Sequence, residues 1–240
     1  MEMYVGCSGY YYRHWQGLWY PADISVSRWF AFYAAHFDTL EINASFYRFP
    51  TVSAVRRWQV QAPDGFVYSL KAPRLITHRR RFRNCDAQIG DFYRTISALG
   101  EKLGCVLYQM PPSVHYSQET LARILSRLDA GFRNVVEFRH QSWWNDAAIT
   151  AVARAGAIFC SVHAPGLPDD IICPDGRIYL RFHGVPWYRQ HYSEDELAVW
   201  AGRVRESQAR EIWTYFNNDN QVHAPANAAT FRDMLQERCA

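Results

Sequence analysis

The sequence predicts a single (β/α)₈ barrel, on three observations. Short β-rich apolar runs recur eight times along the 240 residues, at Tyr4–Cys7, Leu40–Asn43, Phe66–Lys71, Cys105–Gln109, Val135–Phe138, Ala157–Val162, Ile178–Phe182 and Ile212–Phe216. Each run is nearly continuously apolar, which suits strands of a parallel sheet buried on both faces. Most are separated by a helical pattern with its own start signal, and eight such alternations point to the TIM-barrel form of the α/β class. Nothing in the chain reads as a linker, a low-complexity tract or an internal repeat, so residues 1–240 are expected to form one barrel domain.

The helix signals come in order. Ser27 precedes Trp29, Phe30 and Tyr33; Thr51 precedes Val55 and Trp58; Asp86 precedes Ile89, Phe92, Tyr93 and Ile96. Ser117 precedes Leu121 and Ile124, Asn145 precedes Ile149 and Val152, and Ser193 with Glu196 forms a capping box before Leu197, Trp200 and Val204. A last helix is expected to start near Pro225 and to carry Phe231 and Leu235. One repeat is defective. Pro165, Gly166, Pro168, Pro174 and Gly176 crowd the stretch between strands six and seven, so a loop is expected there in place of a helix.

Composition narrows the classes. With 26 Lys+Arg against 23 Asp+Glu, the net charge of +3 does not by itself mark a nucleic-acid binder. The six cysteines include no C-x-x-C pair; Cys7, Cys105 and Cys160 fall in strand-like runs and read as free buried thiols, Cys85, Cys173 and Cys239 lying elsewhere. The first residues lack the pattern of a secretory signal, and no apolar run is long enough to span a bilayer, so a cytoplasmic protein without membrane contact is expected.

Barrels of this kind carry their chemistry on the C-terminal ends of the strands. Those ends are polar here: Glu41 and Asn43, Lys71, Gln109, Glu137 and Arg139, His163, Arg181 and His183, Asn217 and Asn218. Ionisable residues are seldom buried without partners. A structural ion-pair network, Glu41 with Lys71 and Glu137 with Arg139 or Arg181, is one reading; a binding or catalytic site is the favoured one. Aromatic residues crowd the loops that follow: Tyr10, Tyr11, Tyr12, Trp15 and Trp19, then Phe46, Tyr47 and Phe49, then Trp143 and Trp144, then Trp187 and Tyr188. The run His78-Arg79-Arg80-Arg81-Phe82-Arg83 reads as a solvated loop that makes the site side electropositive. Cys7 reads as a buried apolar residue before it reads as a nucleophile, and Lys71 as a Schiff-base amine ranks lower still. No cofactor is expected; a divalent metal is the weaker reading, because Lys71, Arg139 and Arg181 would repel it.

Several of these segments together resemble the YecE-like family, a domain of unknown function numbered seventy-two. The carriers are Gly6-Cys7-Ser8-Gly9, Glu41-Ile42-Asn43 with Ser45-Phe46-Tyr47, Leu70-Lys71-Ala72-Pro73 with Thr77-His78, and Gln109-Met110-Pro111-Pro112-Ser113. Val136-Glu137-Phe138-Arg139-His140, Tyr179-Leu180-Arg181-Phe182-His183-Gly184 and Tyr215-Phe216-Asn217-Asn218-Asp219 complete them. The resemblance covers essentially the whole chain and implies a TIM barrel. It supplies no activity; its members have been likened in fold to barrel endonucleases acting on abasic DNA, an analogy only. His163 stands where relatives carry Asp, and the triple arginine is richer than the family pattern.

Two functions are therefore expected. The first is an enzyme, of hydrolase or lyase type, acting by general acid–base chemistry on a phosphate-bearing sugar, nucleotide or nucleic-acid fragment. Glu41, Lys71, Glu137 and Arg139 would be catalytic; Asn43, Tyr47, Gln109, Trp143, Arg181, His183, Gly184, Asn217 and Asn218 would bind the ligand. Gly184 would offer its N–H to an oxyanion, and Glu137 would stand in an open, hydrated position. The second is a non-catalytic nucleic-acid-binding protein using Arg79–Arg83 and the rim aromatics.

Overall fold

The computed structural model describes residues 2–237. Among them, eight strands run in the order β1-β2-β3-β4-β5-β6-β7-β8 and close into a barrel. They are β1 (Glu2–Ser8), β2 (Thr39–Ile42), β3 (Val67–Lys71), β4 (Leu103–Gln109), β5 (Arg133–Glu137), β6 (Ile158–His163), β7 (Arg177–Phe182) and β8 (Glu211–Phe216). Every strand overlaps its expected run. The reason is visible in β4, where Cys105, Val106, Leu107 and Tyr108 are all fully buried in succession. A strand covered on both sides has no polar face to interrupt the run.

The helices between them are α1 (Trp29–Ala34), α2 (Ala44–Tyr47), α3 (Val52–Gln61), α4 (Asp86–Ile96), α5 (Gln118–Leu125), α6 (Asp146–Arg154), α7 (Glu194–Glu206) and α8 (His223–Gln236). Thr51, Ser117 and Asn145 cap α3, α5 and α6 through side-chain oxygens that accept from the third backbone N–H beyond. Ser193 and Glu196 complete a capping box on α7, whose Leu197, Trp200 and Val204 are buried at helical spacing. Two start signals act differently. Ser27 lies inside a 3₁₀ turn (Val26–Arg28) that leads into α1, and Asp86 is the first helical residue of α4, following Cys85. The segment between β6 and β7 contains no helix, as its prolines require.

The chain falls into two compact halves, 1–40 with 161–240 and 41–160. In the first, β1 runs parallel to β8 with Cys7 opposite Phe216, and β7 parallel to β8 with Phe182 also opposite Phe216. In the second, β3, β4 and β5 run parallel, and their register sets Gln109 opposite Glu137. Cys7, Cys85, Cys105, Cys160 and Cys173 are free thiols, and all but Cys173 are buried; Cys239 lies outside the described residues. No helix among the described residues is long and apolar enough to cross a membrane.

Candidate functional site

The half comprising residues 41–160 gathers Lys71, His78, Gln109, Glu137 and Arg139. Neighbouring register on β4 and β5 brings Gln109 Nε2 to within 3.1 Å of Glu137 Oε1, to which it donates. Arg139, two residues past Glu137, donates its Nε to the same oxygen. Glu137 is completely buried, so the expected open and hydrated position is not what the fold provides; Arg139 keeps 11% of its side chain exposed. The guanidinium and the amide both donate to this buried carboxylate, as donors to a charged oxygen do. Glu41 is also fully buried, and Asn43, half-buried, precedes α2.

Lys71 ends β3. Its carbonyl accepts from Ser45 Oγ at 2.7 Å, which ties β3 to α2. Its ammonium lies 4.1 Å from the centroid of the Phe46 ring, a cation–π contact. The other side of this corner is His78, whose ring meets Phe46 edge-on at 4.9 Å and whose Nδ1 shares a 2.9 Å hydrogen bond with Thr77 Oγ1. Burial, then the positive charges of Lys71 and Arg139, lower the His78 pKa from 6.5 to about 4, against the opposing pull of Glu137. At neutral pH His78 is therefore an uncharged imidazole standing among cations, able to accept a proton.

His78 is the residue that the pattern reading passed over, absorbed into what looked like a charged loop. That segment is not a loop. Leu75–Arg80 form a π-helical turn with Ile76 and Thr77 buried. Arg81 and Phe82 then take left-handed backbone conformations, φ 51° and 59°. Two such residues without glycine's freedom cost about 1–2 kcal/mol each. Full burial of Phe82 beside Tyr108, and a 3.0 Å bond from its N–H to the Ile76 carbonyl, offset that cost. The one hint in the sequence was the pairing Thr77-His78.

Two aromatic expectations separate. Tyr47 is 71% exposed, its ring edge-on to Phe46 at 5.1 Å. Trp143 is fully buried: its ring stacks on Phe138 at 3.8 Å and its Nε1 donates to the Val114 carbonyl at 2.7 Å. Both the face and the N–H of Trp143 are thus committed to packing, which corrects its assignment to ligand binding.

The other half, 1–40 with 161–240, holds Arg181, His183, Gly184, Asn217 and Asn218. Arg181 and His183 are fully buried. Arg181 Nη2 donates to Ser8 Oγ and Nη1 approaches His183 Nε2, each at 3.4 Å, while the Asn217 amide lies 3.2 Å from His183 Nδ1. Asn218, also fully buried, donates to the Gln190 carbonyl and to Asn227 Oδ1, a tie that fixes the loop before α7. Gly184 has φ +81°, and its N–H donates to the His163 carbonyl at 3.2 Å. A Cβ there would come within 2.8 Å of Gln190 Cβ. Gly184 therefore serves close packing, and the donor expected for an oxyanion is already spent. His163 shares its Nδ1 with the Tyr192 hydroxyl. Cys7 is buried with its N–H on the Tyr33 hydroxyl; burial pushes its thiol far above the usual range, so it is an inert apolar residue. Trp15 and Tyr20 are buried too, and Tyr20 stacks on Trp29.

Among the described residues, no three His, Cys, Asp or Glu side chains come together as a metal site.

With this geometry in hand, likeness to known proteins adds the lineage. The family model described as "Protein of unknown function DUF72" matches residues 4–240. The UPF0759 protein YecE of Escherichia coli (strain K12) is 31% identical over 113 residues, 47% of this chain and 42% of that protein. The match thus spans less than half the length of that relative. The UPF0759 protein YunF of Bacillus subtilis (strain 168) is 22% identical over 90% of this chain and 89% of its own. Among solved structures, a DUF72 family protein from Thermotoga maritima MSB8 superposes with a TM-score of 0.88, at 27% identity, over 99% of this chain and 100% of that one. A DUF72 family protein from Enterococcus faecalis V583 gives a TM-score of 0.83 at 18% identity, over 99% of this chain and 97% of that one, a likeness of fold alone.

Proposed function

The chain belongs to the DUF72 family of unknown function, and we propose that within it the 41–160 half carries an acid–base site for an anionic, phosphate-bearing small substrate. One observation carries this reading. The buried Glu137 carboxylate is paired with Arg139, and the uncharged His78 imidazole feels the charges of Lys71, Arg139 and Glu137 together. Charges of that kind, collected at strand ends and reaching solvent beside an exposed Tyr47, exceed what packing needs.

The roles follow from the chemistry of each group. Lys71 and Arg139 hold the anionic group of the substrate, Arg139 through its fork of donors. An anion bound there offsets both cations, which raises the proton affinity of His78. His78 is thereby a base that becomes effective once substrate is in place. Glu137 keeps Arg139 oriented and is the second group able to exchange a proton. Gln109 fixes the Glu137 carboxylate, and Tyr47 offers a flat face to the uncharged part of the ligand.

Crystals grown with phosphate or sulfate test the reading. Oxyanion density within hydrogen-bond distance of Lys71 Nζ and the Arg139 guanidinium is expected, and it should vanish in Lys71→Ala. An oxyanion bound only elsewhere, or density unaffected by that substitution, would remove the proposed site.

A further inference from the structure

The 41–160 half has a second concentration of charge that the acid–base site does not use. Arg79, Arg80, Arg81, Arg83 and Arg123 line a cleft of about 500 Å³, and no acidic side chain lines it with them. Five guanidinium groups around one concavity repel one another, and the backbone at Arg81 and at the following Phe82 is strained. Two are also fixed in place. Arg81 Nη2 donates to Ser113 Oγ at 3.2 Å, and Arg123 Nη2 to Thr120 Oγ1 at 3.0 Å, while Arg123 Nε donates to the Arg81 carbonyl at 3.3 Å. Glu119, which pairs with Arg123, is 83% exposed and stands outside the lining.

We infer that this cleft is a binding site for a compact polyphosphate group, two or more adjacent phosphates, separate from the Lys71–Glu137 cluster. Guanidinium forks match phosphate oxygens two at a time, and forks held in advance lose little freedom on binding. The cleft has the volume of a small-ligand pocket. No Phe, Tyr or Trp lines it, and the ring of its His115 is already stacked on His140 at 3.8 Å, so bases find little aromatic platform and recognition rests on the phosphates themselves. That argument disfavours a nucleic-acid strand as the occupant. The polyphosphate group could arrive as an inorganic chain or on a nucleotide, and the same cleft would hold either.

Isothermal titration of the full chain with inorganic tripolyphosphate, at about 0.15 M salt where exposed charges are screened, tests the inference. One-to-one binding in the micromolar range is expected. The double substitution Arg81→Ala with Arg123→Ala should weaken it about tenfold or more per lost fork. Because those two residues also brace the loop, the exposed pair Arg79→Ala with Arg80→Ala provides a second variant, expected to weaken binding at an unchanged melting temperature. ATP should bind within about tenfold of tripolyphosphate, a short single-stranded oligonucleotide more weakly. Glu137→Gln should leave the affinity within about twofold, which keeps this site's fate apart from that of the acid–base site. Absence of binding, binding indifferent to both arginine pairs, an equal loss in Glu137→Gln, or tighter binding of the oligonucleotide would each overturn the inference.

Discussion

The two halves end their strands in the same residue types and put them to different use. In 1–40 with 161–240, Arg181 and His183 are buried, with hydrogen bonds to Ser8, to Asn217 and to each other, Gly184 spends its N–H on the end of β6, and Asn218 donates to Gln190 and to Asn227 of α8. In 41–160, Glu137 is just as buried, yet the groups around it are not: Lys71, His78 and Arg139 keep partial exposure, and Tyr47 faces water. A charge at a strand end is therefore no sign of a site until its surroundings are known. Burial with internal partners marks a structural polar core; burial of one charge behind cations that keep some exposure is the feature on which the proposed ligand site rests.

The sharpest way to break this contrast is to remove the central charge of each cluster. Arg181→Ala empties a fully buried position and strands its partners, so a loss of about 3–5 kcal/mol is expected. Thermal unfolding should register a drop of roughly 10 °C for a chain of this size. A melting temperature within a degree or two of the parent would deny that the Arg181 cluster is structural. Glu137→Gln keeps shape and one hydrogen bond to Gln109, and water can take over part of the solvation of Arg139 through the 11% of its side chain that is exposed. A smaller cost, about 1–3 kcal/mol by chemical denaturation, is expected. Equal losses for the two substitutions would erase the difference between the halves.

A third effect is smaller and depends on pH. The folded state holds His78 at about 4, below its ordinary 6.5. Below pH 6.5 the unfolded chain takes up a proton that the folded chain refuses, so stability falls as pH drops from 6.5 toward 4 and then levels. In His78→Gln this part of the slope disappears. The stability gap between parent and variant should change by roughly 1–2 kcal/mol between pH 7 and pH 4, after allowance for solvent screening. Parallel stability curves for the two proteins would show that the surrounding cations do not act on His78.

The comparison also explains what the sequence could disclose. All eight strands were legible because burial on two faces leaves continuous apolar runs, and the helix missing after β6 was legible because five Pro and Gly residues forbid it. The caps at Thr51, Ser117, Asn145 and Ser193 were legible because capping is local chemistry. What failed to show was whatever depends on who sits opposite. Trp143 stands next to polar strand-end residues in sequence, and only packing on Phe138 and Val114 reveals it as core. Residues 75–83 read as a charge run because Ile76, Thr77 and Phe82 are too few to give a helical period, although their burial shapes the segment. His78 was hidden with them. Gly184 was read for its freedom of approach, and that freedom is used by Gln190.

The central claim is that the Lys71, His78, Glu137 and Arg139 cluster awaits an anion, and the His78 ring reports on it directly. Its Cε1–H resonance, followed by NMR from pH 3 to 8 in the intact chain with Glu137 and Lys71 in place, should titrate near pH 4. Saturating phosphate should move the midpoint upward by about one pH unit or more, because an anion beside Lys71 and Arg139 favours the imidazolium. A midpoint near the ordinary 6.5, or one that phosphate leaves where it was, would contradict the account.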